Sequence, residues 1–161
     1  PFEGILFAGL MITKDGPKVL EFNARFGDPE TEVVLPLLKN DLVDICTAII
    51  SKKISETVLK WEDGSCVTVV GASGGYPDKY AKGYEITFDQ SFEENENITL
   101  YAAGISKAQD KLVTNGGRVF MLSVKSESLE NAVDLAYSEI KKIHFKDIYY
   151  RTDIARKGLV D

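Results

Sequence analysis

The spacing of apolar and polar residues changes several times along this chain, and each spacing predicts a secondary-structure element. Gly4 to Thr13 is a nearly continuous apolar run, which favours a strand covered on both faces. From Val19 to Phe26 apolar and polar residues alternate, as in a strand with one buried face. The turn sequence at 14–17 separates the two segments, so residues 4–13 and 18–25 are expected to pair as an antiparallel hairpin.

The pattern then turns helical. Gly27 permits a bend, Asp28 is a favourable N-cap and Pro29 suits a first helical position. These residues predict a helix over 29–38, kinked or ended by Pro36. A strand that runs directly into a helix start also brings free backbone N–H groups to the junction, where they are suited to hold an anion.

A second helix is predicted from about 41 to 52. Asn40 is its expected N-cap, and apolar residues recur at helical spacing; they are Leu42, Ile45, Cys46, Ile49 and Ile50. The segment up to Lys60 is polar and of mixed charge, and the pattern beyond it is strand-like. We therefore expect two domains, residues 1–60 and 61–161.

The second domain is predicted to be β-rich with one packing helix. Segments with strand character lie at 65–72, 85–88 and 98–102. The turn Asn115-Gly116-Gly117 joins 111–114 to 118–124, which predicts a hairpin. Ser128 and the apolar spacing after it predict a helix over 129–143. With the hairpin and helices of the first domain, these elements indicate the α+β class.

The loop at 73–80 combines two glycines, a proline and two tyrosines. Glycine in such a segment permits the close approach of another backbone or of a ligand. The loop therefore either contacts a nucleotide or substrate, or it is a rigid turn with tyrosines on the surface. The sequence favours neither interpretation.

The alternating segment at 19–26 carries the clearest chemistry. Glu21, Asn23 and Arg25 fall at alternate positions, about 7 Å apart along a strand, so they are expected on one face. Mg²⁺ takes oxygen ligands from one or two protein side chains and completes its shell with water and substrate phosphates, so Glu21 and Asn23 are candidate ligands. Arg25 would grip a phosphate oxygen through its planar fork. The spacing alone favours a plainer alternative, the wet side of a half-buried antiparallel strand.

Composition narrows the class of protein. The 161 residues include 19 basic and 25 acidic side chains, with a net charge of −6 and a pI near 4.9, so the chain lacks the basic footprint of a nucleic-acid-binding protein. The sequence has no run of 18 apolar residues and no signal-peptide pattern, so no membrane association is expected, and its start is interpreted as a cut or internal end. Cys46 and Cys66 match no metal or redox spacing, so both are expected to be reduced and buried.

The run Leu20-Glu21-Phe22-Asn23-Ala24-Arg25-Phe26-Gly27-Asp28-Pro29-Glu30-Thr31-Glu32 resembles the signature of the phosphoribosylamine–glycine ligase family, also called glycinamide ribonucleotide synthetase, within the ATP-grasp superfamily. The Glu-x-Asn-x-Arg core is similar to ATP-grasp ligases in general, and the Arg-Phe-Gly-Asp-Pro-Glu extension narrows the likeness to this family. Further similar segments lie at 74–83, 114–119 and 150–154. The likeness runs from about residue 4 to 157 and covers the C-terminal third or so of the family's enzyme.

The resemblance implies a fold, an activity and roles for named residues. The fold would be the end of an ATP-grasp domain followed by a small, β-rich, barrel-like C-terminal domain. The activity would join glycine to 5-phosphoribosylamine with ATP, through a glycyl phosphate, in cytoplasmic purine biosynthesis. Glu21 and Asn23 would bind Mg²⁺ or Mn²⁺, and Arg25 would steady the γ-phosphate or the acyl phosphate. Asp28 and Glu30 would help to hold substrate amines.

The resemblance also implies missing partners. The amino-terminal substrate-binding domain of the family and the clasp that encloses ATP have no counterpart here, so the chain alone is expected to bind ATP poorly and to make no product. Two alternatives stay open. One is another ATP-grasp enzyme of the biotin-dependent carboxylase type, and the other is a non-catalytic binding module that kept the fold.

Overall fold

The computed structural model describes residues 2–159, which form two compact units that divide between Glu62 and Asp63. Both units combine antiparallel strands with short helices, so the predicted α+β class is confirmed. None of the helices within residues 2–159 has the length and apolar character needed to cross a membrane.

The first unit begins with the predicted hairpin. Strands β1 (Phe7–Thr13) and β2 (Gly16–Asn23) pair antiparallel, and Gly9 lies opposite Glu21. The register shifts between Gly9 and Leu10, because β2 contributes one residue more than β1 at this point. The hairpin is therefore confirmed, but β2 ends at Asn23, two residues earlier than the alternating pattern predicts.

The prediction that the first strand is covered on both faces is wrong for this chain. Apolar side chains of β1 and β2 are exposed; the most exposed are Leu10, Met11, Ile12, Val19, Leu20 and Phe22. Ile12 has 77% of its surface accessible and Phe22 has 61%. The reason is that the hairpin is an isolated two-stranded sheet, and burial on both faces requires a layer on each side.

The helix predicted over 29–38 starts later and is shorter. Residues 28–30 form a turn, α1 spans Thr31–Val34, and a 3₁₀ turn continues over Leu35–Leu37. Asp28 therefore does not cap the helix, whose N-cap position is Glu30. The physical reason is that the N–H of Glu32 donates to the Pro29 carbonyl, only three residues back, at 3.3 Å. The hydrogen bond from the Thr31 N–H to the Gly27 carbonyl therefore closes a turn ahead of the helix.

Helix α2 spans Leu42–Ile50, and its cap is Asp41, whose Oδ1 accepts the N–H of Val43 at 2.7 Å. The prediction of Asn40 as the cap is wrong by one residue. The Asn40 side chain instead donates to the carbonyl of Val58 at 3.1 Å and accepts the N–H of Lys60 at 2.6 Å, which ties down the end of the unit. The predicted stripe is partly wrong as well, since Ile45 is buried and Ile50 is 80% exposed.

The second unit is built on a four-stranded antiparallel sheet. Its strands in spatial order are β10 (Ile148–Tyr149), β3 (Ser65–Ser73), β8 (Arg118–Ser126) and β5 (Ile98–Ala102). Two small ribbons accompany it, β4 (Thr87–Phe88) with β9 (Ile143–His144) and β6 (Ile105–Ala108) with β7 (Lys111–Thr114). The strands predicted at 65–72 and 98–102 are confirmed, and the one at 85–88 is reduced to β4.

The hairpin predicted around Asn115-Gly116-Gly117 is wrong. Strand β7 pairs with β6, and β8 pairs with β3 and β5 on its two sides, so no edge of β8 is left for β7. The Gly116-Gly117 segment is instead packed tightly against Gly104, where a Cβ would lie 2.5 Å from the Cα of Gly116.

Helix α3 (Leu129–Glu139) covers the sheet and continues as a 3₁₀ turn over Ile140–Lys142. The Ser128 hydroxyl accepts the N–H of Asn131 at 3.2 Å, so the predicted cap is confirmed. The predicted apolar stripe is buried at Ala132, Val133, Ala136, Ile140 and Ile143. These residues join the β3 and β8 side chains in one hydrophobic core.

Candidate functional site

Glu21 and Asn23 lie on the same face of the hairpin. Glu21 pairs with Gly9 and Asn23 with Phe7, and residues two apart on a strand point to one side. A Cβ built on Gly9 would lie 3.0 Å from Cγ and 3.7 Å from Oε1 of Glu21. The absence of a side chain at Gly9 therefore leaves room for the Glu21 side chain.

Arg25 does not belong to that strand face. Strand β2 ends at Asn23, and Arg25 lies in a bend after it. The alternation of side chains between the two faces of a strand therefore does not apply to Arg25. Its Nη1 donates to the Phe26 carbonyl at 2.7 Å. The prediction that a single extended strand presents all three polar side chains is therefore wrong for Arg25, because the chain leaves the sheet first.

The turn after the bend carries Asp28 and Glu30. Gly27 is buried, Asp28 is exposed and Glu30 is half-buried. The hydroxyl of Thr31 donates to the Gly27 carbonyl together with the Thr31 N–H. The turn is therefore closed by its own main chain.

The prediction of free N–H groups at this helix start is wrong for the four residues of the helix itself. The N–H groups of Thr31, Glu32, Val33 and Val34 donate to backbone carbonyls at 3.1, 3.3, 3.2 and 3.0 Å. Since the hydrogen atoms of these groups are already engaged, a helix of four residues offers them to no anion.

The donor set on the hairpin suits a hard cation. Carboxylate and amide oxygens are ligands that Mg²⁺ accepts, and neither the Glu21 carboxylate nor the Asn23 amide is engaged in a hydrogen bond or ion pair within residues 2–159. Over the same residues, no three histidine, cysteine, aspartate or glutamate side chains gather into a metal-binding group. A cation held here would therefore take most of its ligands from water and substrate phosphates.

The loop at 73–80 is held by the main chain of the second unit. The Ser73 hydroxyl donates to the Gly116 carbonyl at 2.8 Å, and its N–H donates to the Gly117 carbonyl at the same distance. The Tyr76 ring covers Gly117, where a Cβ would overlap it. Packing within the second unit therefore accounts for Ser73, Tyr76 and Gly117.

Cys46 and Cys66 form no disulfide with each other and are both half-buried, so the prediction of full burial is wrong, and that of reduced thiols stays a prediction. Burial raises the pKa of the Cys66 thiol from 9.0 to about 11, against the smaller opposing effect of Lys125. A thiol with a raised pKa carries little thiolate at neutral pH and is a poor nucleophile.

Alkylation of Cys66 by iodoacetamide should therefore show an alkaline midpoint near 11 in the native chain and near 9 in the unfolded chain. Because the folded state keeps its proton to higher pH, the contribution of this group to stability is complete below pH 9 and is lost as the pH rises towards 11. Mass spectrometry of the Cys66 peptide, with and without urea, measures both profiles. A native midpoint near 9 would contradict the assigned burial effect.

Solved structures of known proteins give the class of fold. A crystal structure of phosphoribosylamine–glycine ligase from Thermotoga maritima matches with a TM-score of 0.71 at 36% identity, over 92% of this chain and 36% of that one. The biotin carboxylase domain of the Hydrogenobacter thermophilus 2-oxoglutarate carboxylase matches with a TM-score of 0.60 at 15% identity, over 89% of this chain and 32% of that one, a likeness of fold alone. The hairpin and the second unit therefore have the fold of the end of an ATP-grasp protein.

Family models and curated relatives are more specific. The C domain of phosphoribosylglycinamide synthetase matches residues 66–157, and the ATP-grasp (A) domain of the same synthetase matches residues 1–31. The phosphoribosylamine–glycine ligase of Caldanaerobacter subterraneus subsp. tengcongensis is 51% identical over 154 residues, which are 96% of this chain and 36% of the relative. The trifunctional purine biosynthetic protein adenosine-3 of Gallus gallus is 48% identical over 160 residues, which are 99% of this chain and 16% of the relative.

The chain belongs to the phosphoribosylglycinamide synthetase family. It spans about a third of the length of the bacterial ligases that it matches.

Proposed function

We propose that this chain is the C-terminal part of an ATP-dependent ligase that joins glycine to 5-phosphoribosylamine in cytoplasmic purine biosynthesis. The products would be glycinamide ribonucleotide, ADP and phosphate, with a glycyl phosphate as the intermediate. The observation that carries the proposal is the order of two matches from one synthetase, ATP-grasp at 1–31 and C domain at 66–157, in a chain 51% identical to a named ligase. Residues 1–60 would end the ATP-grasp domain, and 61–161 would form the C-terminal ligase domain.

Glu21 and Asn23 are proposed to hold Mg²⁺ or Mn²⁺. Both project from one face of β2, and their free oxygens match the preference of these cations. When bound, the cation would neutralise charge on the ATP phosphates. The carboxylate and the amide would fix its place on the hairpin, and Gly9 would leave the space that the Glu21 side chain occupies.

Arg25 is proposed to bind a phosphate oxygen of ATP or of the acyl phosphate. Its guanidinium has five N–H donors, and the contact with the Phe26 carbonyl uses Nη1 only. The remaining donors form a planar fork suited to phosphate. Since Arg25 is exposed and follows the strand end, it would complete the phosphate site from beside the metal ligands rather than from the same strand.

Asp28 and Glu30 are proposed to hold the substrate amines. They lie in one turn, 28–30, that begins three residues after Arg25, and a carboxylate is the natural partner of an ammonium group. The proposal places amine recognition next to phosphate recognition, as a ligase that joins an amine to an acyl phosphate requires.

The chain alone should show no turnover, because the proposed substrate-binding domain and ATP clasp are contributed by other parts of the enzyme. A coupled ADP-release assay with glycine, 5-phosphoribosylamine, ATP and Mg²⁺ measures this directly. The Caldanaerobacter ligase serves as the positive control in the same assay. Turnover of the isolated 161 residues at an ordinary enzyme value of about 1–10³ s⁻¹ would contradict the proposal.

The ligase proposal itself is tested on the full-length polypeptide that, by this proposal, carries the chain; it is called the full-length ligase below. ADP release should require both amine substrates. ADP release that requires bicarbonate instead would favour the carboxylase alternative, although that alternative is supported only by a likeness of fold at 15% identity. Binding of all ligands without ADP release would favour the non-catalytic alternative.

A further inference from the structure

The backbone conformation at Gly27 does not require a glycine. Five glycines of the described chain have a positive φ, and Gly27 is not among them. An alanine could therefore adopt its backbone conformation without strain. The residue is nevertheless buried within the turn, so the space around it decides what fits there.

The nearest atoms in that space belong to Glu30. A Cβ built on Gly27 would overlap Oε2 of Glu30, and it would lie 2.9 Å from Cδ and 3.4 Å from Cβ of the same residue. All three of the nearest heavy atoms belong to Glu30. The carboxylate thus lies directly against the Gly27 backbone.

The main chain on either side of this contact is fixed. The Gly27 carbonyl accepts both the N–H and the hydroxyl of Thr31, and the Glu30 carbonyl accepts the N–H groups of Val33 at 3.2 Å and Val34 at 3.0 Å. The Glu30 side chain is therefore the part free to move. Its direction depends on whether a Cβ is present at residue 27.

We propose that Gly27 is a positioning residue that sets the Glu30 carboxylate in place to hold a substrate amine. The inference rests on the proposed function, since it takes from it the role of Glu30. A methyl group at residue 27 would turn the carboxylate away while leaving the turn closed. Amine binding would weaken, and ATP binding through Arg25 and the hairpin would not.

The test is a double-mutant cycle in the full-length ligase. Gly27→Ala should raise the KM of an amine substrate, glycine or 5-phosphoribosylamine, by roughly 10- to 100-fold, the loss expected for one charge-assisted hydrogen bond. The KM of ATP should stay the same. Because Gly27 acts through Glu30, Gly27→Ala should have no further effect in a Glu30→Ala background.

Gly158→Ala is the matched control. It adds the same methyl group at a glycine that is also absent from the positive-φ set, and the atom it meets is Cδ2 of Leu129 at 2.8 Å. It should leave both amine KM values unchanged. An equal rise in KM from this variant, or an additive effect of Gly27→Ala in the Glu30→Ala background, would overturn the proposal.

Thermal unfolding of the 161-residue chain separates this inference from the ligase proposal. If Gly27→Ala lowers the midpoint or prevents folding, the added Glu30→Ala should restore the midpoint of Glu30→Ala alone. Failure to restore it overturns the inference, whatever the enzyme does. If the midpoint is restored but the full-length ligase releases no ADP, the contact between Gly27 and Glu30 is supported and the assigned activity is contradicted.

Discussion

Glu21→Ala in the full-length ligase is expected to lower kcat by roughly 10²- to 10³-fold and to raise the Mg²⁺ concentration needed for half-maximal activity. The carboxylate is the charged member of the proposed ligand pair, so its removal leaves only the neutral Asn23 amide on that face of β2. A metal held by one neutral side chain is bound weakly. Initial rates across a Mg²⁺ titration measure both effects.

Asp15→Ala provides the matched control, since it removes a carboxylate from the turn of the same hairpin. The contact of Asp15 with the Thr13 hydroxyl uses its backbone N–H at 3.2 Å, so it survives the substitution. Activity should be unchanged. Electron paramagnetic resonance of Mn²⁺ with ADP adds a readout without turnover, and Mn²⁺ binding that is equal in Glu21→Ala and the parent would remove Glu21 from the metal site.

Phe120→Ala is expected to destabilise the second unit by about 3–5 kcal/mol, the usual cost of truncating a fully buried phenylalanine. Phe120 has no accessible surface, and its ring lies edge-on to Phe145 with centroids 6.3 Å apart. The ring also fills the space at Gly71, where a Cβ would overlap it. Gly71 of β3 is paired with Phe120 of β8, so the large ring lies opposite a residue that has no side chain.

Urea unfolding followed by circular dichroism measures this loss, and hydrogen exchange of the β8 amides assigns it to the second unit. Phe88→Ala is the control, because Phe88 is 37% exposed and its ring stacks on Phe92 at 5.3 Å. Its effect should be clearly smaller. Equal losses for the two variants would mean that burial at β8 does not dominate the stability of the unit.

The sequence predicted those elements whose signals are local. The hairpin followed from two periods separated by a turn, and α3 followed from Ser128 and a helical apolar stripe. In each case the residues that decide the structure are neighbours along the chain. The turn, the cap and the periodicity are all short-range signals, so they were sufficient to predict these elements, although the α3 stripe packs against the distant strand β3 as well as β8.

The turn at Asp28 shows where local signals mislead. Asp28 and Pro29 favour a helix start, yet the Gly27 carbonyl closes a turn to Thr31 and the helix begins after it. Two acceptable local structures compete over these few residues, and their sequence preferences overlap. Because this turn forms, the N–H groups of Thr31 to Val34 are engaged and do not form the predicted anion site. The Glu30 carboxylate lies against Gly27.

Pairings between distant strands were beyond the sequence. Asn115-Gly116-Gly117 carries a hairpin signal, but β8 is occupied by β3 and β5, and β7 turns back to β6. Strand edges compete for partners throughout a domain, and the outcome depends on the packing of the whole sheet rather than on the turn.

The sequence by itself determined the α+β class, the shared face of Glu21 and Asn23, and the family. All three depend on the hydrophobic periodicity and on motifs of residues that are adjacent in the chain. Only the tertiary structure decided that β2 ends before Arg25, that the helix-start N–H groups are engaged, and that Glu30 rests on Gly27. Those outcomes depend on which hydrogen bonds and contacts form when several local structures are allowed. That choice is made by the three-dimensional neighbours of each residue.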